Sequence, residues 1–448
     1  MQRFAMYFHL ENENTFKIMK IKYGFSLILA LIAFSAVTFT GCRDNTYEEL
    51  TYVANVPVYM EFDVFRKSVK KTSPKELTSP GKIYFKDNFL YINENQQGVH
   101  VIDNSNPSAP NTIAFIEIPG NVDIAIKGNI LYADSYIDLV AIDISDPSNP
   151  IEVDRIEDAF PNVLPMVDAS FPIYGLDFTK GVVVGWDNKE VTEVIEKGSG
   201  YRGNKLYMDA IGVPQVGSGE VSIIGRTTGQ GGSMARFTIF SDYMYAVHNN
   251  SLKVFNIGST PGIIKEQEIA LDRVVETIYP LDSKLFLGTT TGMLIYGLED
   301  PSLPVYISVF EHINSCDPVV VEGNYAYVTL RSGNACNNFA NQLDVVDISS
   351  IANPFLVKSY PFFNPHGLGI DNHILFICDG EAGLKVYDAT DPMEINTHQL
   401  AHFDDIKTFD VIPYNGVLML IGTDGLFQYD YSDLNDLTLL SQIPVVKP

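Results

Sequence analysis

A phrase that recurs about every forty residues constrains this chain more than any other feature of its sequence. In its clearest copy, Ala141 to Pro150, β-branched residues that suit a buried strand run into a turn of Asp, Ser and Pro. Corresponding positions fall at residues 103, 143, 187, 256, 297, 347, 388 and 430, with separations of 40, 44, 69, 41, 50, 41 and 42 residues. Four short strands fit in each period, which is typical of a propeller blade.

The repeat predicts an all-β fold: one β-propeller of seven or eight four-stranded blades that spans residues 52–446. A single blade leaves its faces uncovered, and stacking the blades in a ring covers them. The mark at Asp187 follows the weakest copy, Val183–Asp187, so the number of blades stays open between seven and eight. A further strand is predicted at Tyr52–Phe62, either to close the ring against the last blade or to extend it.

The two longest separations indicate insertions. Residues 196–233 are rich in glycine and polar residues, and residues 331–342 contain Cys336. Insertions in repeat folds project from one face, which is often the binding face. Tolerated surface loops would give the same pattern.

The N-terminal region has the pattern of an export signal. Lys20 and Lys22 precede the apolar run Gly24–Thr40, which is short for a membrane span and suits a signal peptide. Phe39–Cys42 resembles a bacterial lipobox, which implies cleavage before Cys42 and lipidation of its thiol. We therefore expect a signal peptide at residues 1–41, with Met19 as a second candidate start that would exclude residues 1–18, and a lipidated tether at residues 42–51. An ordinary cleaved signal and a membrane anchor are the alternatives.

Charge and cysteine usage fit an exported protein. The chain has 30 basic and 55 acidic residues, a net charge of −25, which disfavours nucleic acid as a partner. Cys316 and Cys336 lie in loops that adjacent strands would bring to one end of a sheet. We expect them to form a disulfide in an oxidising compartment. Cys378 follows Leu375–Ile377 and is expected to be a buried apolar residue.

The repeat resembles a known family. Val101–Pro107, Ala141–Pro147 and Val345–Ser349 resemble LVIVD repeats, and the mature chain resembles the exported LVIVD-repeat lipoproteins of Bacteroidetes-type bacteria. This resemblance implies a β-propeller at the cell surface or in the bacterial envelope, and implies no known reaction, substrate or catalytic residues. We expect the protein to be an outer-membrane lipoprotein. Asn256 and Gly297 replace the motif aspartate. A repeat that tolerates these changes indicates a structural role for that aspartate, which we expect to cap its turn.

One set of polar residues is a candidate binding site. Alignment of the positions that precede each innermost strand gives Gly81, Val122, Tyr174, Arg236, Glu276, Asp317, His366 and Asp410. Four consecutive members, Arg236, Glu276, Asp317 and His366, would meet at the mouth of the central channel and bind a polar ligand. A polar ring that only hydrates the channel is the alternative. Trp186, the only tryptophan, is expected in the core.

These observations favour a non-catalytic surface lipoprotein that binds or scaffolds a protein, glycan or matrix ligand. The alternative is a propeller enzyme, a hydrolase or lyase, that acts at the channel mouth. Motifs for zinc, calcium-loop and phosphate sites are missing from the sequence, so we expect no metal and no cofactor. The expected attachment to the membrane is the lipid on Cys42.

Overall fold

The computed structural model describes residues 47–196, 230–231, 233, 235–259, 261–311, 318–332, 340–434 and 437–447. The chain divides into a small unit, residues 1–52 with 190–202, and a large unit, residues 53–189 with 203–448. The described part of the small unit consists of strand segments, in which the hydroxyl oxygens of Thr51 and Thr192 lie 3.0 Å apart. Within the described ranges, no helix is long and apolar enough to cross a membrane.

The strands of the large unit occur in seven successive antiparallel sheets in the described part of the chain. Before the first sheet come β1 (Tyr47–Met60), helix α1 (Phe62–Phe65) and β2 (Lys70–Thr72). Blade 1 contains β3 (Pro80–Lys86), β4 (Phe89–Glu94), β5 (Gly98–Asp103) and β6 (Asn111–Glu117), and blade 2 contains β7 (Ile124–Lys127), β8 (Ile130–Ser135), β9 (Asp138–Asp143) and β10 (Ile151–Ile156). The long strand β11 (Val182–Glu196) and the short β12 (Gln230–Gly231) follow.

The remaining five blades repeat the same order. Blade 3 contains β13 (Phe237–Phe240), β14 (Tyr243–His248), β15 (Ser251–Asn256) and β16 (Ile264–Ala270); blade 4 contains β17 (Val275–Leu281), β18 (Lys284–Thr289), β19 (Gly292–Gly297) and β20 (Val305–Glu311). Blade 5 contains β21 (Val319–Glu322), β22 (Tyr325–Leu330), β23 (Gln342–Asp347) and β24 (Phe355–Pro361). Blade 6 contains β25 (Leu368–Asp371), β26 (Ile374–Cys378), β27 (Leu384–Asp388) and β28 (Gln399–Phe403), and blade 7 contains β29 (Thr408–Tyr414), β30 (Val417–Gly422), β31 (Gly425–Asp430) and β32 (Thr438–Pro444).

The blades form a closed ring, so the large unit is a seven-bladed β-propeller. The first strands of the blades surround the channel, and in blade 1 the short β12 pairs with the inner edge of β3. Apolar clusters fill the spaces between neighbouring sheets. Blade 7 meets blade 1 through a reciprocal amide pair. Asn104 Nδ2 donates to Gln428 Oε1 over 2.9 Å, and Gln428 Nε2 donates to Asn104 Oδ1 over 2.8 Å. Nearby, Val446 N donates to Leu77 O over 2.8 Å.

The prediction of a possible eighth blade was wrong. The segment Val183–Asp187 lies in β11, which pairs with β1 in a separate two-stranded sheet. The predicted Tyr52–Phe62 strand therefore neither closes the ring nor extends it. Instead, the C-terminal Val445 bridges Leu77. Residues 183–187 end in an aspartate as the third strands of the repeat do, but this segment pairs with a distant strand rather than with a neighbour in a repeat.

The phase of the repeat was predicted correctly for the seven blades. The last residue of the third strand is Asp103, Asp143, Asn256, Gly297, Asp347, Asp388 and Asp430 in turn. Six of these residues carry a side-chain oxygen that accepts from the backbone N–H two residues later, as when Ser145 N donates to Asp143 Oδ1 over 2.8 Å. These contacts confirm the capping role of the motif aspartate.

The motif turns also join neighbouring blades. Side chains of one blade donate to backbone carbonyls in the turn between the third and fourth strands of the next blade. Tyr245 Oη donates to Pro301 O over 2.7 Å, Tyr360 Oη donates to Pro392 O over 2.8 Å, and Ser441 Oγ donates to Pro107 O over 2.6 Å. The proline-flanked turn therefore ends a strand and also provides acceptors for the adjacent sheet.

Candidate functional site on the loop face

The connections leave the sheets at two opposite faces. The turns between third and fourth strands, such as residues 144–150, 298–304 and 348–354, define one side, here called the motif face. The blade-to-blade connections and the turns between second and third strands leave at the other side, here called the loop face, as at residues 95–97, 118–123 and 362–367. Both insertions predicted from the sequence belong to connections of the loop face. This agrees with the expectation that insertions share one face.

Three of the four predicted channel-mouth residues lie where first strands begin on this face. Arg236 immediately precedes β13, Glu276 is the second residue of β17, and His366 lies two residues before β25. Glu276 is half-buried and His366 is buried. Asp317 lies outside the described residues, as do Cys42, Cys316 and Cys336, so lipidation of Cys42 and the Cys316–Cys336 disulfide stay predictions.

The described contacts of His366 hold it within blades 5 and 6. His366 N donates to Cys378 O over 2.7 Å, and its carbonyl accepts from Thr329 Oγ1 over 2.6 Å. Its Nε2 lies 3.1 Å from Asn364 Nδ2. Cys378 is fully buried, as expected, and burial raises the pKa of its thiol. Through these contacts His366 connects blade 5 to blade 6.

Arg236 is half-buried and belongs to a polar cluster around the channel whose other members are buried, here called the channel cluster: Lys82, Asp123, Asp134, Arg236 and Asp410. Lys82 Nζ lies 2.6 Å from Asp123 Oδ2, and both side chains are about 1% exposed. Asp123 Oδ2 also accepts from Arg236 N over 2.6 Å. Asp123 thereby connects blades 1, 2 and 3, because its neighbours come from β3 and from the start of β13.

The ionisation of the channel cluster is governed mainly by burial. Burial lowers the pKa of Lys82, against the attraction of Asp123. Burial raises the pKa of Asp134, against the charge of Arg236. Burial also raises the pKa of Asp410 to about 8. Asp410 Oδ1 accepts from Ser233 N over 3.3 Å, whereas its buried Oδ2 has no hydrogen-bond partner among the described residues.

Carboxylates at the ends of second strands fix the loop face in three blades. Glu94 accepts from Ser79 N over 2.5 Å and from His100 Nε2 over 3.0 Å. Asp134 Oδ1 accepts from Val122 N and Asp123 N over 2.7 and 2.9 Å. In blade 6, Asp379 Oδ1 accepts from Phe363 N and Asn364 N over 3.0 and 2.8 Å, and its Oδ2 lies 2.6 Å from Lys385 Nζ. Such charged acceptors satisfy backbone donors that would otherwise be buried unpaired.

These acids therefore hold connections in place. The described residues contain no group of three or more His, Cys, Asp or Glu side chains suited to hold a metal ion. Sequence alignment selected Gly81 and Val122 but missed Lys82 and Asp123, the next residue in each case. The signal that could have identified them is a charged residue inside an otherwise apolar first strand, as at Lys82, or immediately before one, as at Asp123.

A second feature of the loop face is an open groove of about 410 Å³, formed within the large unit. Its lining comes from distant parts of the chain: β1, the β4–β5 turn, the β10–β11 connection and β11. The residues that line it are Asn55, Gln96, Pro165, Met166, Asp168, Val184, Gly185, Trp186, Asp187 and Asn188. Trp186 was predicted to be a core residue, but it is half-buried and lines this groove.

The fold and these contacts define the molecule as a seven-bladed β-propeller with a grooved loop face. Three segments, residues 81–115, 120–158 and 315–361, match the model of the LVIVD repeat. They correspond to blades 1, 2 and 5. The chain therefore contains LVIVD repeats, as its sequence motif predicted.

Solved structures of other propellers are similar in fold. The periplasmic gluconolactonase PpgL of Pseudomonas aeruginosa is 9% identical, with a TM-score of 0.50 over 82% of this chain and 97% of that one. Kluyveromyces lactis Hsv2 is 10% identical, with a TM-score of 0.46 over 81% and 98% of the two chains. BamB from Moraxella catarrhalis is 9% identical, with a TM-score of 0.43 over 85% and 91%. No curated protein matches the sequence. At these identities the similarity concerns the fold alone.

Proposed function

We propose that this chain is an exported, lipid-anchored β-propeller that binds a protein, glycan or matrix ligand with its loop face, and that it is not an enzyme. The observation that carries the proposal is the structural difference between the two faces. The motif face consists of short turns that cap themselves and join neighbouring blades. The loop face carries the groove, and in three of its connections backbone N–H groups donate to Glu94, Asp134 and Asp379.

A reaction at the channel mouth has less support. Lys82 and Asp123 neutralise each other at 2.6 Å, and Asp123 also accepts backbone N–H groups of blade 3. Groups committed in this way stabilise the ring and are poorly placed to exchange protons with a substrate. Rigid presentation of loops is the property that a binding protein requires, because it reduces the entropy lost on association.

The proposed location is the bacterial envelope, with the protein attached to the outer membrane by a lipid on Cys42. The basic residues Lys20 and Lys22, the apolar run and the Gly41–Cys42 pair support export and lipidation. An acidic protein with a net charge of −25 would remain soluble beside the membrane while its lipid anchors it.

A pair of matched double variants tests the proposal. Phe363→Ser/Met166→Ser changes two loop-face side chains that are 60% and 47% exposed. Phe355→Ser/Met393→Ser changes two motif-face side chains of the same types that are 56% and 45% exposed. The purified full-length chain and both variants are applied to a panel of glycans, mucin, collagen and fibronectin.

The chain is expected to bind at least one member of the panel. The loop-face variant should then bind at least about fivefold more weakly and the motif-face variant unchanged, because loss of an apolar anchor weakens a contact only where the ligand lies. Binding to no member of the panel, or equal loss in the two variants, would overturn the proposal.

A further inference from the structure

We infer that the groove around Trp186 binds a neutral carbohydrate of about two sugar units. This inference deepens the proposed function and rests on it. A sugar presents apolar C–H faces and hydroxyl edges at the same time, so its site needs an aromatic or aliphatic surface beside hydrogen-bonding side chains. The groove combines these, with Trp186 and Met166 beside Gln96, Asp187 and Asn188.

The aromatic surface is held in a fixed position. Trp186 Nε1 donates to Pro165 O over 3.0 Å, which joins β11 to the β10–β11 connection on the groove wall. Two residues earlier, Val184 O accepts from Tyr136 Oη over 3.1 Å, so β11 is also connected to blade 2. A ring that is already ordered loses little conformational freedom when a ligand packs on it.

Asn55 provides an acceptor that the protein itself leaves unused. Its Nδ2 donates to Asp168 O over 2.9 Å and to Phe171 O over 2.7 Å, which fixes the orientation of the amide. The residue is fully buried and lines the groove, and its Oδ1 has no hydrogen-bond partner among the described residues. A buried acceptor without a donor is unfavourable, and a ligand hydroxyl supplies that donor when the groove lining opens to admit it.

The charges at the groove favour a neutral ligand over an acidic one. Asp168 and Asp187 both line it. Hydrogen bonds from the backbone N–H and the hydroxyl of Ser170 hold the pKa of Asp168 below its usual value, so it stays ionised at neutral pH. Lys189 Nζ lies 2.6 Å from Asp187 Oδ2 and offsets only one of the two carboxylates. A uronate or a sulfated sugar would meet like charge there, whereas neutral hydroxyls can donate to the carboxylates.

Trp186 makes the test direct, because it is the only tryptophan in the chain and its fluorescence reports on the groove. The purified full-length chain is titrated with maltose, cellobiose, lactose and chitobiose, and separately with cellobiuronate and digalacturonate, acidic disaccharides of the same size. We expect a saturable change of emission with at least one neutral disaccharide, and at least about tenfold weaker binding of the uronates. The same titration is repeated for Met166→Ala and Asn188→Ala, with Met393→Ala as the matched control.

The groove variants should weaken the sugar at least about fivefold and Met393→Ala should leave it unchanged, since Met166 and Met393 are 47% and 45% exposed on opposite faces. Unchanged emission with every disaccharide, or equal affinity in the three variants, would overturn the inference. The proposed function would still stand if the loop-face double variant lost binding to a panel member. If the panel gave no binding either, both would fail.

Discussion

The buried carboxyl of Asp410 makes this propeller less stable as the pH rises, and replacement by asparagine should remove that effect. Burial raises its pKa from 3.8 to about 8. Between these two values the folded chain holds a proton that the unfolded chain has released, so stability falls as pH increases through this window. At about 1.4 kcal/mol per pKa unit, the loss attributable to Asp410 reaches an upper limit of about 4 kcal/mol at pH 7 and about 6 kcal/mol above pH 8.

Asp410→Asn imitates the protonated carboxyl without a titrating group. The variant and the parent chain should unfold at similar urea concentrations near pH 4, and the variant should become progressively more resistant from pH 5 to pH 8. Urea midpoints at fixed ionic strength, followed by circular dichroism, measure the difference. The Asp282→Asn change, at an exposed position, serves as the matched control for replacing an aspartate by asparagine. A constant separation between Asp410→Asn and the parent from pH 5 to pH 8 would refute the reasoning.

Three further outcomes follow from the fold and the export signal. In urea unfolding, Gly98→Ala should destabilise the chain by more than about 2 kcal/mol and Gly128→Ala by about 1 kcal/mol. Both glycines have positive φ, but of the two only Gly98 would place a Cβ against a backbone oxygen, at 1.9 Å. Equal effects of the two changes would contradict this. Gln428→Leu should cost about 2–4 kcal/mol, since it leaves the buried Asn104 amide unpaired where the ring closes; a neutral result would show that closure does not depend on this pair. Cys42→Ser should move the protein out of the membrane fraction of its bacterial host, and retention there would exclude the lipid anchor.

The sequence was sufficient for the repeat because the chemistry of each turn is local. Asp143 caps its own turn through Ser145, and Asn256 does the same through Gly258, so the end of each third strand could be located without its partner. The prediction at Asp187, the third position of the repeat, failed because strand pairing is not local. Val183–Asp187 ends in an aspartate as a third strand of the repeat does, but nothing in those residues indicates that β1 is the partner.

The candidate site was predicted less completely than the fold. Alignment placed Arg236 at the start of a first strand, but a shift of one residue hid the buried pair of Lys82 and Asp123. The groove could not be predicted, because Asn55, Gln96 and Trp186 are far apart in the chain and come together only in the folded protein, Asn55 and Trp186 on the paired strands β1 and β11 and Gln96 in the β4–β5 turn.

Hydrogen exchange of the full-length chain, measured with and without a ligand identified on the panel, tests the central claim most directly. If the loop face is the binding face, the ligand should slow exchange in connections such as residues 95–97, 118–123 and 362–367, and leave the motif turns at residues 144–150, 298–304 and 348–354 unchanged. Protection confined to the motif turns would contradict the account.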